Sequence, residues 1–246
     1  MDLTNDTILI TGGTSGIGLG LAKMFLEFGN TVIICGRREQ RLKKIKQDHP
    51  EIITCACDVS KDTSRKKLSE WVIQNYPATN VLINNAGIQL RMNLTQPIEM
   101  DDIRSEIDVN YYGPVHLSSL FVPHLSTKDH GVIINISSGL AFTPMASAPN
   151  YCASKAAIHS FSMSLRHQLE NTPVKVFEII PPAVDTELGH QDRSDSSKSH
   201  GGMAISEFVE DVKEALINDK LEAPIGPAKS LYAKREELFE KMNQYQ

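Results

Sequence analysis

The chain has 246 residues with 25 Lys and Arg against 30 Asp and Glu, a net charge of −5; that length suits one large domain burying roughly 70 to 75% of its unfolded surface, not two domains and a linker. The charges are interspersed and form no basic stripe of the kind that neutralises a phosphate backbone, which excludes nucleic acid as an expected partner. The start MDLTNDT is polar and acidic, and no apolar run reaches the ~20 residues of a membrane helix, so the expectation is a cytoplasmic protein with no membrane association.

Residues 7–11 (TILIT) read as a short apolar strand, followed by the turn TGGTSGIG at 11–18 and an amphipathic helix carrying Leu21, Ala22, Phe25 and Leu26. The pattern continues with a strand at 31–35, a charged helix at 38–47, a strand within 52–59 and a helix at 64–75. VLINNAG at 81–87 predicts another strand, 100–125 a helix, VIINIS at 132–137 a strand, and VKVFEII at 174–180 a further strand after the helix that contains Tyr151. Strands this uniformly apolar are covered on both faces, and their alternation with helices predicts a parallel sheet with right-handed crossovers. The expected fold class is therefore α/β, a Rossmann-type doubly wound parallel sheet in a three-layer α/β/α sandwich, with ligands at the carboxyl ends of the strands.

After Pro181 the alternation stops. Residues 185–202 are rich in Ser, Asp, His and Gly and predict a mobile substrate lid within a single domain spanning 1–246. Leu231, Leu238, Met242 and Tyr245 recur at helical spacing and predict a C-terminal helix over 231–245.

The turn at 11–18 stands between a strand and a helix, where Gly12, Gly16 and Gly18 let the backbone approach a pyrophosphate held by amides and the helix dipole. Thr14, Ser15 and Ile17 complete this candidate cofactor cradle. The end of the second strand reads CGRRE: Gly36 stands where a carboxylate would bind a ribose 2′-hydroxyl, and Arg37 or Arg38 can meet a 2′-phosphate. The expected cofactor is NADP in preference to NAD.

Within YCASKAAIHSF a second signal appears. At 100° per residue Ile158, Phe161, Leu165 and Leu169 share an apolar stripe, and its backward extension passes through Tyr151 and Lys155. A buried lysine charge without partners costs several kcal/mol, so either this end of the helix opens on a cavity or a ligand supplies the missing contacts. An ammonium ~4 Å from the phenol at an effective dielectric of ~20 contributes ~4 kcal/mol, which predicts a lowered phenol pKa. Cys35, Cys55, Cys57 and Cys152 lack ligand spacing and read as reduced core residues. His116, His124, His159 and His167 fall on predicted helices without a ligand-like partner set, so no metal is expected. No G-x-S-x-G elbow follows a strand, which argues against a hydrolase.

Together TGGTSGIG, Asp58-Val59, NNAG at 84–87, Asn110, Ser138, Tyr151-x-x-x-Lys155 and PPAVDT at 181–186 resemble the short-chain dehydrogenase/reductase family in its compact single-domain branch. The motifs stand in family order and span most of the chain. ICGRREQRL, SSGLAF, YCASKAAIHSFS and LRHQLE are similar, more narrowly, to a bacterial subgroup of these oxidoreductases.

The resemblance implies Tyr151 as the general acid or base, Lys155 as its partner and as a ligand of the nicotinamide ribose, Ser138 as the group holding the substrate oxygen, and Asn110 as part of a proton path. It further implies Asp58 and Val59 at the adenine, Asn85, Ala86 and Gly87 along its ribose, and Val184 and Thr186 at the nicotinamide carboxamide. Pro182 departs from the family's glycine and removes a backbone N–H. Beyond the fifth strand, Leu140, Phe142 and Met145 suggest an apolar substrate wall, with Gln89 and Arg91 as polar contacts. The expected activity is interconversion of a secondary alcohol and a ketone, or an aldehyde, by a homodimer or homotetramer. The alternative is a dinucleotide-sensing protein without turnover, for which a tuned phenol has no use.

Overall fold

The computed structural model describes residues 1–189 and 201–244. Among these residues seven parallel strands form one sheet in the order β3-β2-β1-β4-β5-β6-β7: β1 Thr7–Thr11, β2 Thr31–Gly36, β3 Ile53–Ala56, β4 Val81–Asn84, β5 Gly131–Ile136, β6 Val174–Ile180 and β7 Glu222–Pro224. The strand order reverses direction between β1 and β4, where a crevice opens at the carboxyl ends. The expected doubly wound sheet is the one observed.

Two cores follow from strand alternation. Ile8, Ile10, Val32, Ile34, Val81 and Ile83 point to one face and meet α1 Gly16–Glu27, α2 Glu39–Asp48 and α7 Ile205–Ile217 through Phe25, Leu42 and Phe208. Leu9, Ile33, Leu82 and Ile133 point to the other and meet α3 Asp62–Asn75, α5 Gly113–Leu125 and α6 Pro149–Gln168 through Leu68, Phe121 and Leu165. Each fully buried side chain of this kind contributes roughly 1.5 to 3 kcal/mol, which fixes the strand ends that carry the candidate site.

The single helix expected over 100–125 is α4 Met100–Ile107 and α5, joined without a break by a π-helical turn at Asp108–Tyr112 that carries Asn110. A wider turn of this kind inserts an extra residue and re-aims side chains, a device frequent at functional sites. Sequence reasoning omitted α7, although Phe208, Val212, Ala215 and Leu216 are buried along one of its faces, and β7, which has three residues.

The helix expected over 231–245 is instead broken. Arg235 adopts φ 48 and ends α8 Ala228–Lys234; a 3₁₀ turn, Arg235–Leu238, then leads to α9 Phe239–Asn243. The left-handed residue redirects the chain so that Leu231 and Met242 both reach the crevice. Residues 190–200, the bulk of the expected lid, lie outside the described residues, as does Tyr245. The two feet of that segment are tied together by a bridge between Val184 and Met203, with Asp185 N–H donating to Met203 O at 2.9 Å and Met203 N–H to Ala183 O at 2.8 Å.

Candidate active site

The crevice is a cleft of about 520 Å³ that runs from the β1–α1 turn, past the end of β4, to the start of α6. Thr11 anchors its floor: its hydroxyl accepts from the Asn85 and Ala86 N–H groups, both at 3.0 Å, and so ties the first turn to the end of β4. Asn85 completes the tie by donating to Thr11 O at 2.8 Å and Gly12 O at 3.2 Å. Gly12 has φ 68, and a Cβ there would stand 2.8 Å from Ala86 Cα. A Cβ on Gly18 would stand 2.4 Å from Asn85 Nδ2. Only glycine allows the turn to lie this close to β4.

Thr14, Ser15, Gly16, Ile17 and Gly18 line this end of the cleft. Ser15 does not cap α1 with its side chain and the first turn holds no acidic residue, so the helix N-terminus presents amides and a positive dipole to the cleft. Arg37 and Arg38 stand beside it. Arg38 is half exposed and reaches Ser15 Oγ at 3.2 Å and Glu187 at 3.3 Å; Arg41 holds the same carboxylate at 2.6 Å. The arginines hold the Glu187 carboxyl below its usual range, Arg41 most strongly. The second strand ends without a carboxylate, and the two cations beside the amide donors fit a 2′-phosphate that would share Arg38 with, or take it from, the Glu187 carboxylate.

Val59, Ala86 and Gly87 line the cleft, as do Val184 and Thr186, and a Cβ on Gly16 would stand 3.1 Å from Thr186 Cγ2. Asp58 does not: its carboxylate accepts from the Ser60 N–H at 3.0 Å and the Ser60 hydroxyl at 2.7 Å, an Asx turn that withdraws it. Cys57 takes its place on the wall. All four cysteines are free, although the fold brings Cys35 opposite Cys55.

At the other end, Ser138 follows β5, and Tyr151 and Lys155 stand on the first turns of α6, all three lining the cleft and buried. The Ser138 hydroxyl accepts from Leu140 N–H at 3.1 Å and stands close enough to the Tyr151 phenol to favour its ionised form. Lys155 Nζ donates to Ile136 O at 2.8 Å and lies 5.7 Å from the centre of the Tyr151 ring. A Cβ on Gly87 would be 3.6 Å from Lys155 Nζ and 3.5 Å from Asn110 Oδ1, so the end of β4, the lysine and the π-turn asparagine meet at one point. Asn110 donates to Ile88 O at 2.9 Å and to Ser154 Oγ at 3.1 Å and accepts from Ile88 N–H at 2.9 Å.

One expectation is corrected by this geometry. The phenol was expected to be acidified by the ammonium, whereas burial pushes the Tyr151 phenol well above its ordinary value, opposed by the neighbouring Ser138 hydroxyl. Burial also pulls the Lys155 ammonium down, to about 8, against the opposing pull of the Glu178 and Glu106 carboxylates. With the amine turned to a backbone carbonyl, desolvation outweighs the cation.

Among the expected substrate contacts, Gln89, Leu140 and Met145 line the cleft. Phe142 does not; it is buried behind the wall between His159 and Tyr232, with ring centres 4.7 Å and 4.8 Å away. Arg91 is exposed and points to no part of the cleft wall. Leu188, Leu231 and Met242 line the wall and were missed; Met242 follows the break at Arg235, which no residue-type pattern signals.

A short chain dehydrogenase family profile matches residues 6–197. The chain is 46% identical, over 253 aligned positions, to "Uncharacterized oxidoreductase DltE" of Bacillus subtilis, covering 99% of this chain and 98% of that one. It is 33% identical, over 72% of each chain, to "NADP-dependent 3-hydroxy acid dehydrogenase YdfG" of Escherichia coli. Among solved structures it resembles a short chain dehydrogenase from Burkholderia cenocepacia in complex with NADP, with TM-score 0.82, 25% identity and coverage of 98% and 99%. It also resembles the closed form of a serine dehydrogenase complexed with NADP+, with TM-score 0.78, 28% identity and coverage of 91% and 90%.

Proposed function

The chain belongs to the short-chain dehydrogenase/reductase family of NAD(P)-dependent oxidoreductases, and from that premise we propose that it uses NADP(H), in preference to NAD(H), to interconvert a ketone or aldehyde and the corresponding alcohol. The observation that carries this reading is that the glycine turn and the Ser138–Tyr151–Lys155 group open on one cleft. Gly12, Thr14, Ser15, Gly16, Ile17 and Gly18 would hold the pyrophosphate, Arg37 and Arg38 the 2′-phosphate, Val59, Asn85, Ala86 and Gly87 the adenosine side, and Val184 and Thr186 the nicotinamide. Bound NADPH supplies the hydride.

The chain's own residues then manage one proton and one oxygen. Ser138 fixes the carbonyl oxygen of the substrate with its hydroxyl, which stands beside the phenol. A phenol whose pKa lies above its ordinary value is fully protonated at neutral pH, so Tyr151 stands loaded as the donor to the oxygen that gains charge. Lys155 brings a positive charge to the tyrosinate that remains, and the dry surroundings magnify that attraction. Asn110 fixes the Ile88 backbone beside Lys155 and so holds the path by which the proton is replaced.

At the substrate end Leu140, Met145, Leu188, Leu231 and Met242 surround one polar side chain, Gln89. No described lysine or arginine other than Lys155 lines this end, which favours an uncharged carbonyl compound with an apolar body over the hydroxy acids named for some relatives. The homodimer or homotetramer implied by the family resemblance is part of this reading.

Tyr151→Phe tests the reading. NADPH oxidation by a panel of apolar aldehydes and ketones should fall about 10³-fold while NADPH affinity is kept. Turnover that survives the substitution would refute it.

A further inference from the structure

One register of the sheet is polar from β4 to its edge. Asn84 pairs with Asn135, Asn135 with Glu178, and Glu178 with Glu222. The row lies on the face covered by α5 and α6. Asn84 Nδ2 donates to Asn135 Oδ1 at 2.8 Å and to Ser118 Oγ at 3.1 Å, and Asn135 Nδ2 donates to Ser162 Oγ at 2.9 Å. His159 Nδ1 meets Glu178 Oε2 at 2.8 Å; Arg166 and Tyr232 take the two oxygens of Glu222 at 2.9 Å and 2.8 Å. His159, Glu178 and Glu222 could together present ligands to a metal ion, but the Arg166 guanidinium already supplies the positive charge at Glu222.

What remains unexplained is Glu178 itself. Its side chain is 0% exposed, and its second oxygen, Oε1, has no hydrogen-bond partner among the described residues. A buried carboxylate left half satisfied is costly, and one cation on one oxygen does not remove that cost. The next cation along α6 is Lys155, one turn before His159 on the side of the helix that faces the sheet. Its Nζ is bonded to Ile136 O, on the residue that follows Asn135, the register partner of Glu178.

We propose that Glu178 is a positioning residue for the reaction: its buried carboxylate, fixed by His159, keeps the Lys155 ammonium charged and drawn toward the sheet from below the catalytic side chains. Among the described residues the charged and titratable groups around Lys155 are few. Tyr151 and His159 share its helix, Glu106 faces it from α4, and Glu178 faces it from β6. Beyond these, Cys152 adjoins Tyr151, Asp102 adjoins Glu106, and Glu222, Arg166 and Arg235 adjoin His159. Glu106 has both oxygens engaged, by Leu90 N–H at 2.9 Å and Asn150 Nδ2 at 2.8 Å. Glu178 keeps one oxygen uncommitted and has the larger influence on the amine.

The proposal rests on Lys155 acting as the ammonium of the proposed reaction, so its test reads the lysine apart from turnover. Competitive acetylation of the full chain with acetic anhydride across neutral to alkaline pH, read by mass spectrometry of the Lys155 peptide, gives the midpoint at which the amine becomes nucleophilic. Glu178→Gln should lower that midpoint by about one pH unit with NADPH affinity unchanged. Glu178→Asp, which keeps the charge, should restore it. His159→Gln, which leaves the carboxylate without its counter-cation, should raise it, and this arm decides alone if the Glu178 variants do not fold. Midpoints that stay at the wild-type value overturn the proposal. Shifted midpoints with no matching shift in the alkaline limb of kcat/KM uphold the placement of Glu178 and instead contradict the role given to Lys155.

Discussion

At the glycine turn the cleft is walled by backbone and by arginines such as Arg38, whose side chain keeps 50% of its surface exposed, whereas at α6 it is walled by Tyr151 and Lys155, each 4% exposed. The two ends therefore obey different electrostatics. In water a guanidinium keeps its charge whatever surrounds it, and the amides of a helix N-terminus are fixed by the backbone. Away from water the protonation of a phenol or an amine depends on its neighbours, and the same residue types take on different chemistry.

The contrast breaks first where space is tightest. Gly18→Ala puts a methyl group 2.4 Å from Asn85 Nδ2 and 2.5 Å from Gly12 O. It should raise the NADPH Kd about 100-fold and destabilise the fold by about 2 kcal/mol, measured by fluorescence titration and urea unfolding. The clash is with backbone and with a side chain already bonded twice to the turn, so no small relaxation absorbs it.

The buried end is tested next, by pH. The Lys155 ammonium is lost as pH rises through about 8, so kcat/KM for carbonyl reduction should fall about tenfold per pH unit above that point. Stability runs the opposite way. The amine binds its proton less tightly in the folded chain, at about 8 against an ordinary 10.5, so the unfolded chain holds more protons between those values. The Lys155 contribution to stability therefore rises with pH across that window. Urea unfolding of the wild type and Lys155→Met should show the wild type gaining on the variant as pH increases from about 8 toward about 10. A parallel dependence in the two proteins would contradict the buried, charged lysine.

At the exposed end the effect is smaller. Arg38→Ala should weaken NADPH about tenfold and leave NADH unchanged, because the only dinucleotide contact removed is the charge-assisted one to the 2′-phosphate, and the exposed ties of Arg38 to Glu187 and Ser15 contribute little. Equal losses for both dinucleotides would place the arginine in general packing, not in phosphate selection.

How far the sequence disclosed this molecule follows the same division. TILIT, TVIIC and VIINIS are continuous apolar runs and were legible as buried strands, and TGGTSGIG was legible because its glycines stand between a strand and a helix. Tyr151 and Lys155 were legible as a pair on the buried stripe of α6, but the sign of the phenol's shift was not, since it depends on burial and on where Lys155 Nζ points. Asp58 and Phe142 were drawn to the cleft by order along the chain and are turned from it by an Asx turn and an aromatic cluster. The uneven C-terminal third was least legible: β7 is too short to show a period, and a positive φ at Arg235 has no signature in a residue without turn preference. Glu178 lay hidden in VKVFEII because its partners come from α6, and their register is known only once the sheet is formed.

The most direct test crosses the two ends, with NADPH affinity and single-turnover NADPH oxidation measured side by side for Tyr151→Phe and Arg38→Ala. Tyr151→Phe should lose turnover about 10³-fold and keep its affinity, and Arg38→Ala should lose affinity about tenfold and keep its turnover once saturated. A tyrosine variant that still turns over, or two variants in which affinity and turnover fall together, would contradict a cleft that binds at one end and moves a proton at the other.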